Sequence, residues 1–385
     1  MAKHRIAWMP GDGVGHDVMV AARLVLDALG LDAEYVPADI GWECWRREGD
    51  ALPARTIDVL RSTDCALFGA ITSKPRDEAE ADLDPSLRGR GLVYSSPIVR
   101  LRQLFDLHTN VRPCRAYEGN PLNFRGSEAS PVGGPIDIVV FRENTEGMYA
   151  GVEFFPLPRP VYDALCANPR MTPWREKGLE NVALSTRIVS RQGCERICRQ
   201  AFEHASRYAR KRVTLVEKPN VLRETGGLMT RVFREVARDY PGITSDEANI
   251  DAICMWLLKN PRDYDVLVAE NMFGDIISDL CAGLVGGLGF APSANIGDDY
   301  AVFEPTHGSA PKYAGRHVVN PMAMLLTVRL MLDWLGEAFL ADRLESAIAA
   351  VIREGRVATY DVKGSGRGDS TLDVAREVAR KAARA

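Results

Sequence analysis

Two aspartates, Asp275 and Asp279, stand four residues apart in the run Glu270-Asn271-Met272-Phe273-Gly274-Asp275-Ile276-Ile277-Ser278-Asp279. On a helix that spacing puts both carboxylates on one face. The residues between them are apolar or small, so the local sequence supplies no cation to offset their repulsion. A divalent cation would, and hard Mg²⁺ or Mn²⁺ takes carboxylate oxygens while keeping room for substrate and water. A lone D-x-x-x-D is more often a pair of solvated acids on a helix surface, so the metal reading depends on its company.

That company is spread along the chain. Arg102, Arg112 and Arg142 sit in Leu101-Arg102-Gln103, Asn110-Val111-Arg112-Pro113 and Phe141-Arg142-Glu143. Three converging arginine forks would suit a di- or tricarboxylate, although each alone is more often structural. Arg142 follows an apolar strand pattern, and a charge there needs a partner. Lys218 directly follows another predicted strand, where loop residues of α/β proteins often act, and a lysine beside a metal can serve as a base. Tyr149 lies in Glu143-Asn144-Thr145-Glu146-Gly147-Met148-Tyr149, and Asp251 is a candidate third acid for the metal. In Thr306-His307-Gly308-Ser309-Ala310-Pro311-Lys312-Tyr313, small residues admit a ligand to the backbone, and Lys312 and Tyr313 could meet a phosphate. The Gly11-Asp12-Gly13-Val14-Gly15 turn is either a tight turn or a weak dinucleotide signal, being short of a full G-x-G-x-x-G.

These residues need a scaffold of βαβ type. The pattern predicts a strand at 4–9, a helix from the glycine turn to Leu29 stopped by Gly30, a strand at 34–39, a helix at 52–62 and a strand at 65–68. Residues 74–91 read as a polar loop, and a helix follows near 96–106. After the strand at 136–141, residues 154–185 lose periodicity and hold several prolines, which predicts an excursion from the sheet. Helices at 191–210 and 224–239 flank a strand at 213–216, and a strand at 266–268 feeds the Asp275/Asp279 helix. The C-terminal third is mostly helical, including 320–336 and 341–354. This rhythm implies a largely parallel sheet.

The chain has 385 residues, 46% hydrophobic and 26% charged, with net charge −4. That suits a globular protein of two domains or one large α/β unit, and argues against nucleic-acid binding. No apolar run approaches a membrane span, and the N-terminus is too interrupted for a secretory signal. Eight cysteines without a C-x-x-C pair read as free thiols in a reducing cytoplasm. Six histidines without an H-x-x-x-H pair argue against zinc.

Taken in order, the motifs coincide with those of one family. From PGDGVG through L-R…N-V-R-P, F-R-E-N-T-E-G-M-Y-A-G and E-N-M-F-G-D-I-I-S-D to T-H-G-S-A-P-K-Y-A-G…N-P, the chain resembles the metal-dependent β-decarboxylating dehydrogenases, the isocitrate/isopropylmalate dehydrogenase family. The resemblance implies an isopropylmalate-dehydrogenase-like α/β fold, distinct from the classical Rossmann fold, with two domains sharing a mixed sheet. A large cofactor-binding domain would comprise 1–104 and 286–385. A small domain, 105–285, would carry substrate, metal and dimer contacts, with 154–185 as an intersubunit arm or clasp. The implied homodimer shares its active sites. Asp275 and Asp279 would bind Mg²⁺ or Mn²⁺ with Asp251 of the partner subunit. Arg102, Arg112 and Arg142 would hold substrate carboxylates, Lys218 of the partner subunit would take the hydroxyl proton, and Tyr149 would protonate the enolate left by CO₂ loss. The cofactor would lie against Thr72, His307, Gly308, Ser309, Ala310, Lys312, Tyr313, Asn320 and Tyr360.

Two choices remain within the family. Lys312-Tyr313 stands where NAD-using members usually carry an acid, and Tyr360 matches a phosphate-contacting tyrosine, so NADP is favoured over NAD. Gly364 replaces the arginine expected there, with Lys363 and Arg367 as substitutes. The segment Tyr94-Ser95-Ser96-Pro97-Ile98-Val99-Arg100 governs substrate choice. Ser96 matches the serine that bonds isocitrate's γ-carboxylate, while Ile98 and Val99 could line an apolar pocket. Arg100, Ser95 and Ser96 favour an acidic third substituent, so isocitrate or an isocitrate-like acid leads. Isopropylmalate, homoisocitrate, tartrate or D-malate and a phosphonate analogue are the alternatives. A catalytically silent regulatory subunit is the other class, disfavoured because Tyr149, Lys218 and all three acids are present.

Overall fold

A computed structural model describes residues 2–124, 135–364 and 366–384, with only the backbone described for Arg76 and Asp77. The chain begins β1 (His4–Gly11), α1 (Val14–Leu29), β2 (Ala33–Pro37), α2 (Trp42–Glu48), α3 (Ala54–Arg61), β3 (Cys65–Ala70), α4 (Arg76–Ala81) and α5 (Pro97–Leu104). The middle runs β4 (Thr109–Arg115), β5 (Asp137–Glu143), β6 (Glu153–Phe154), α6 (Arg159–Leu165), β7 (Leu184–Ser185), α7 (Arg191–Arg207), β8 (Arg212–Glu217) and α8 (Thr225–Ala237). Then come β9 (Thr244–Asn249), α9 (Ile250–Lys259), β10 (Val266–Ala269), α10 (Asn271–Leu284), β11 (Pro292–Ile296), β12 (Ala301–Pro305), α11 (Met322–Trp334), α12 (Ala338–Glu354), α13 (Tyr360–Lys363) and α14 (Thr371–Ala382).

One ten-stranded sheet runs β2-β1-β3-β12-β11-β4-β5-β10-β8-β9. Its flanks are parallel, as the βαβ rhythm predicts, but its centre is not. The pairs β12–β11, β11–β4 and β4–β5 are antiparallel. The physical reason is plain at β11 and β12, whose short connection closes with Gly297 N–H donating to Tyr300 O at 2.9 Å. A parallel neighbour would need a crossover of a dozen residues. The strands β4, β9, β11 and β12 escape the periodicity reading because polar residues or prolines interrupt their apolar runs.

Alternation sets the core. The α1 stripe Val18, Ala22, Val25 and Leu29 packs with α11, α12 and α14 against one flank. Gly30 ends α1 in the left-handed conformation its sequence predicts, donating to Leu26 O and Asp27 O. Helices α7 and α8 cover one face of the other flank, and α9 and α10 the opposite face. Residues 74–91 are not all loop, since α4 forms there and buries Ala79 under Trp42 and Trp45. The excursion at 154–185 contains the β6–β7 ribbon and α6, and buries only Leu157 and Tyr162 among its large side chains. Phe155 is 71% exposed and Trp174 49%. Among the described residues no helix is long and apolar enough to cross a membrane. All eight cysteines are free, six of them buried.

The pleat gives the central strands two uses. Arg112 and Arg142 point to the α10 side. Val111, Phe141 and Ala294 line a cavity of about 540 Å³ on the other side, with Tyr208 and Trp334.

Candidate active site

The acid pair is on α10 as its spacing predicts, but it has company the local sequence does not supply. Arg112 Nη1 lies 3.3 Å from Asp275 and 3.1 Å from Asp279, and donates to Ser278 Oγ at 2.8 Å. Arg142, 2% exposed, also ion-pairs with Asp275. An unpaired guanidinium there would cost several kcal/mol, so Asp275 stabilises the arginines as much as they stabilise it. Burial, ahead of the opposing pull of Arg112, raises the pKa of Asp279. Two hard oxygen donors on one helix face fit a divalent cation.

Asp251 does not join them within one chain. It heads α9 and pairs with Lys218, which follows β8. Among the described residues, no group of three or more carboxylate, histidine or cysteine side chains gathers as a metal cage. Two acids without a third make half a site.

Tyr149 sits on a single 3₁₀ turn and donates to Asp275 Oδ2 at 3.1 Å, with the Arg142 guanidinium 5.3 Å from its ring centre. Burial, then Asp275, raises the phenol's pKa and keeps it a proton donor at neutral pH. The loop leading to it is self-built. Glu143 accepts from Thr145 N at 3.0 Å and Glu146 N at 2.7 Å, and Glu146 accepts from Ser190 N at 2.7 Å. Arg102 is buried on α5 and pairs with Glu304 at 3.3 Å. Burial first, then Arg112 and Arg102, pulls Arg142 down to about 9, which leaves it charged at neutral pH.

Ser96 begins the same helix as Arg102, and its hydroxyl makes no cap bond. Ile98 does not line a pocket: it packs into the core with Met9, Phe68 and Leu101, because it falls on the helix face opposite Ser96. Arg100 is tied to Asp50.

The cofactor candidates gather around β12. Thr72 and Ser309 hydroxyls are 2.6 Å apart. Asp12, from the glycine turn, accepts from Thr72 N at 2.9 Å and Trp42 N at 2.8 Å. Val14 N donates to Ser309 O at 2.8 Å. Gly13 has φ +56°, and a Cβ there would lie 2.2 Å from Ser309 O. The turn therefore braces the His307–Ala310 segment, with its central acid already occupied. His307 is kept neutral by burial. Lys312 Nζ is 4.8 Å from the Tyr313 ring centre, and Tyr313 and Tyr360 are 6.1 Å apart centre to centre. Asn320 donates to Asp361 at 3.1 Å. Lys363, a candidate substitute for the expected arginine, pairs with Asp369 and donates to Arg356 O. Arg316, 5.8 Å from the Tyr313 ring centre, is the cation sequence reading missed. Also missed were Asn110, Asn271, Asn295 and Glu304. The available signal was their polar character at strand and helix positions that pack inward.

Arginines, a phenol and paired acids meet over the antiparallel centre of the mixed ten-stranded sheet, an arrangement whose chemistry suits a carboxylate-bearing ligand. The family profile described as Isocitrate/isopropylmalate dehydrogenase matches residues 5–378, and the chain belongs to that family of NAD(P)-dependent, β-decarboxylating dehydrogenases. It is 42% identical to 3-isopropylmalate dehydrogenase of Archaeoglobus fulgidus over 97% of this chain and 98% of that one. It is 41% identical to Protein DlpA of Legionella pneumophila over 99% of this chain, yet spans only 59% of DlpA's length. The crystal structure of isocitrate dehydrogenase from Methylococcus capsulatus superposes with TM-score 0.84 and 36% identity, covering 99% of both chains.

Proposed function

We propose that the chain is an NADP-preferring, metal-dependent oxidative decarboxylase of a 2-hydroxy acid, with isocitrate or an isocitrate-like acid as substrate. The observation that carries this is the convergence of Arg112, Arg142 and Tyr149 on the Asp275/Asp279 pair, with buried Arg102 near enough to feel the charges of Arg112 and Asp275. The arginines bind and orient the substrate carboxylates. Tyr149, kept protonated, delivers a proton to the carbon that loses CO₂. Mg²⁺ or Mn²⁺ on Asp275 and Asp279 would supply Lewis acidity at the substrate's hydroxyl oxygen. NADP would supply the hydride acceptor, its extra phosphate met by Lys312, Tyr313, Arg316 and Tyr360.

An acidic third substituent is favoured over an alkyl one by Ser96. Its hydroxyl is unspent on its own helix, whereas of the two apolar candidates Ile98 is used in the core and only the half-buried Val99 is left. Arg100, tied to Asp50, no longer argues for either.

The reading extends to a homodimer. Met255, Trp256 and Leu258 on α9 and Ile276 on α10 are 41–50% exposed, an apolar face suited to a second copy. Lys218 and Asp251 on the same side would serve the partner's site, completing its acid set. The two-domain division fits the strand supply: residues 1–104 and 286–385 contribute β1–β3, β11 and β12, and 105–285 the rest of the main sheet. The exposed arm at 154–185 would reach the partner. Free buried thiols suit a reducing cytoplasm.

The test is a spectrophotometric panel: isocitrate, homoisocitrate, isopropylmalate, D-malate and tartrate, each with NADP or NAD and Mn²⁺. NADPH formation fastest with isocitrate supports the reading. Fastest turnover of another acid reassigns the substrate. No turnover on all five points to a different third substituent, such as phosphonomethyl, or to a silent subunit.

A further inference from the structure

The three arginines share a detail that their ion pairs conceal. Each has its Nε held by the side-chain oxygen of an asparagine. Arg102 Nε donates to Asn295 Oδ1 at 3.0 Å, Arg112 Nε to Asn110 Oδ1 at 2.8 Å, and Arg142 Nε to Asn271 Oδ1 at 2.9 Å. All three asparagines are buried, at 0–1% exposure. Two of them are placed by strand register. Asn295 on β11 lies opposite Asn110 on β4, and Asn110 opposite Arg142 on β5, so one row across the sheet carries all three on one face.

Asn295 is the hub. Its Oδ1 also accepts from Asn110 Nδ2 and Asn144 Nδ2, each at 3.0 Å, and its Nδ2 donates to Glu304 at 2.8 Å and Val302 O at 3.2 Å. Donors surround one end and acceptors the other, which fixes the amide's orientation. Each guanidinium already faces a carboxylate, Glu304 at Arg102 and Asp275 at Arg112 and Arg142. Behind it a neutral amide satisfies Nε without adding a further negative charge.

We propose that Asn295, with Asn110 and Asn271, is a positioning residue that aims the arginine forks at an anionic substrate without adding a further negative charge behind them. This rests on the substrate reading above. It adds that affinity for polycarboxylates depends on the neutrality of residues that never touch the substrate. Asn295→Asp keeps shape and acceptor oxygens but adds a negative charge behind Arg102 and faces Glu304 with a second carboxylate. Asn295→Ala removes the brace without adding charge.

The experiment is calorimetric titration of citrate into the full chain in saturating Mg²⁺, for wild type, Asn295→Asp and Asn295→Ala. Citrate is a hydroxy tricarboxylate whose tertiary alcohol has no hydride to lose, so it reads the anion site apart from the reaction. Asn295→Asp is expected to weaken citrate by about 30-fold and Asn295→Ala by less. The substrate KM should rise in the same order, with kcat within about threefold of wild type. A role in sealing the sheet alone predicts the reverse order, with the isosteric Asp the milder change, and that order overturns the proposal. So does unchanged citrate affinity in Asn295→Asp, or a wild type that binds no citrate. A wild type that binds citrate but reduces no pyridine nucleotide defeats the reaction reading and leaves the positioning role intact. Should Asn295→Asp fail to fold, Asn271→Asp makes the same comparison behind Arg142.

Discussion

Arg112 and Asp275 are each asked to do two things. Without a divalent cation, the guanidinium of Arg112 lies between the two α10 acids and supplies their counter-charge. With Mg²⁺ or Mn²⁺ held by the two acids, Arg112 would be free to turn its fork to a substrate carboxylate. Asp275→Asn should therefore lower metal-dependent kcat roughly 10³-fold. Stability should fall as well, by about 3 kcal/mol, because buried Arg142 loses its carboxylate partner and keeps only an amide oxygen in its place. Turnover with saturating Mn²⁺, set beside a thermal melt, checks both; wild-type turnover would remove Asp275 from the metal site. At the cofactor end, Lys312→Asp should lower kcat/KM for NADP at least about tenfold and raise it for NAD. Arg316 faces the same Tyr313 ring, so some NADP preference should survive until Arg316 is replaced as well. An unchanged cofactor ratio in the double variant would place the phosphate elsewhere.

At the scale of elements, α7 carries a titratable group into the sheet. His204 packs 5.1 Å from the Phe141 ring and 4.5 Å from Tyr208, with Nε2 buried and unpartnered. Burial, then Arg210, lowers its pKa from 6.5 to about 4. The unfolded chain takes up a proton near 6.5, while the folded chain does not until about 4. Stability is therefore full above that window and falls as pH drops through it. His204→Phe should flatten the decline in melting temperature between pH 7.5 and pH 4.5 without removing it. An unchanged slope would assign the acid sensitivity to other groups. The same scale shows what the sequence makes legible. Helix α1, with its apolar stripe and Gly30 stop, and strands β1, β5 and β10, with unbroken apolar runs, could be read directly, as could the Asp275/Asp279 face. Strand β4 could not, because Asn110, Arg112 and Pro113 defeat an apolar-run rule that assumes the polar face meets water. Ile98 was misread for a related reason: a motif position gives a residue's place along α5 but not which side of the helix meets the core.

For the molecule as a whole, the consequence of Lys218 and Asp251 standing apart from Asp275 is that neither chain is expected to work alone. Lys218→Ala and Asp275→Asn homodimers should each be nearly inactive. If the two residues serve one site from different chains, dissociating and remixing equal amounts should restore roughly a quarter of wild-type activity, because half the dimers then hold one intact site of two. No recovery on remixing would put Lys218 and Asp275 in one chain's site. The pleat of the central strands sets a further limit. Val111 and Arg112, Phe141 and Arg142, Ala294 and Asn295 are sequence neighbours that face opposite sides of one sheet. Because the two surfaces share a backbone but no side chains, either can be rewritten by substitution without editing the other. Length is a different matter: one residue inserted into β4 would turn Arg112 into the greasy cavity and deliver Val111 to the carboxylates, so these strands tolerate new letters far better than a shifted reading register.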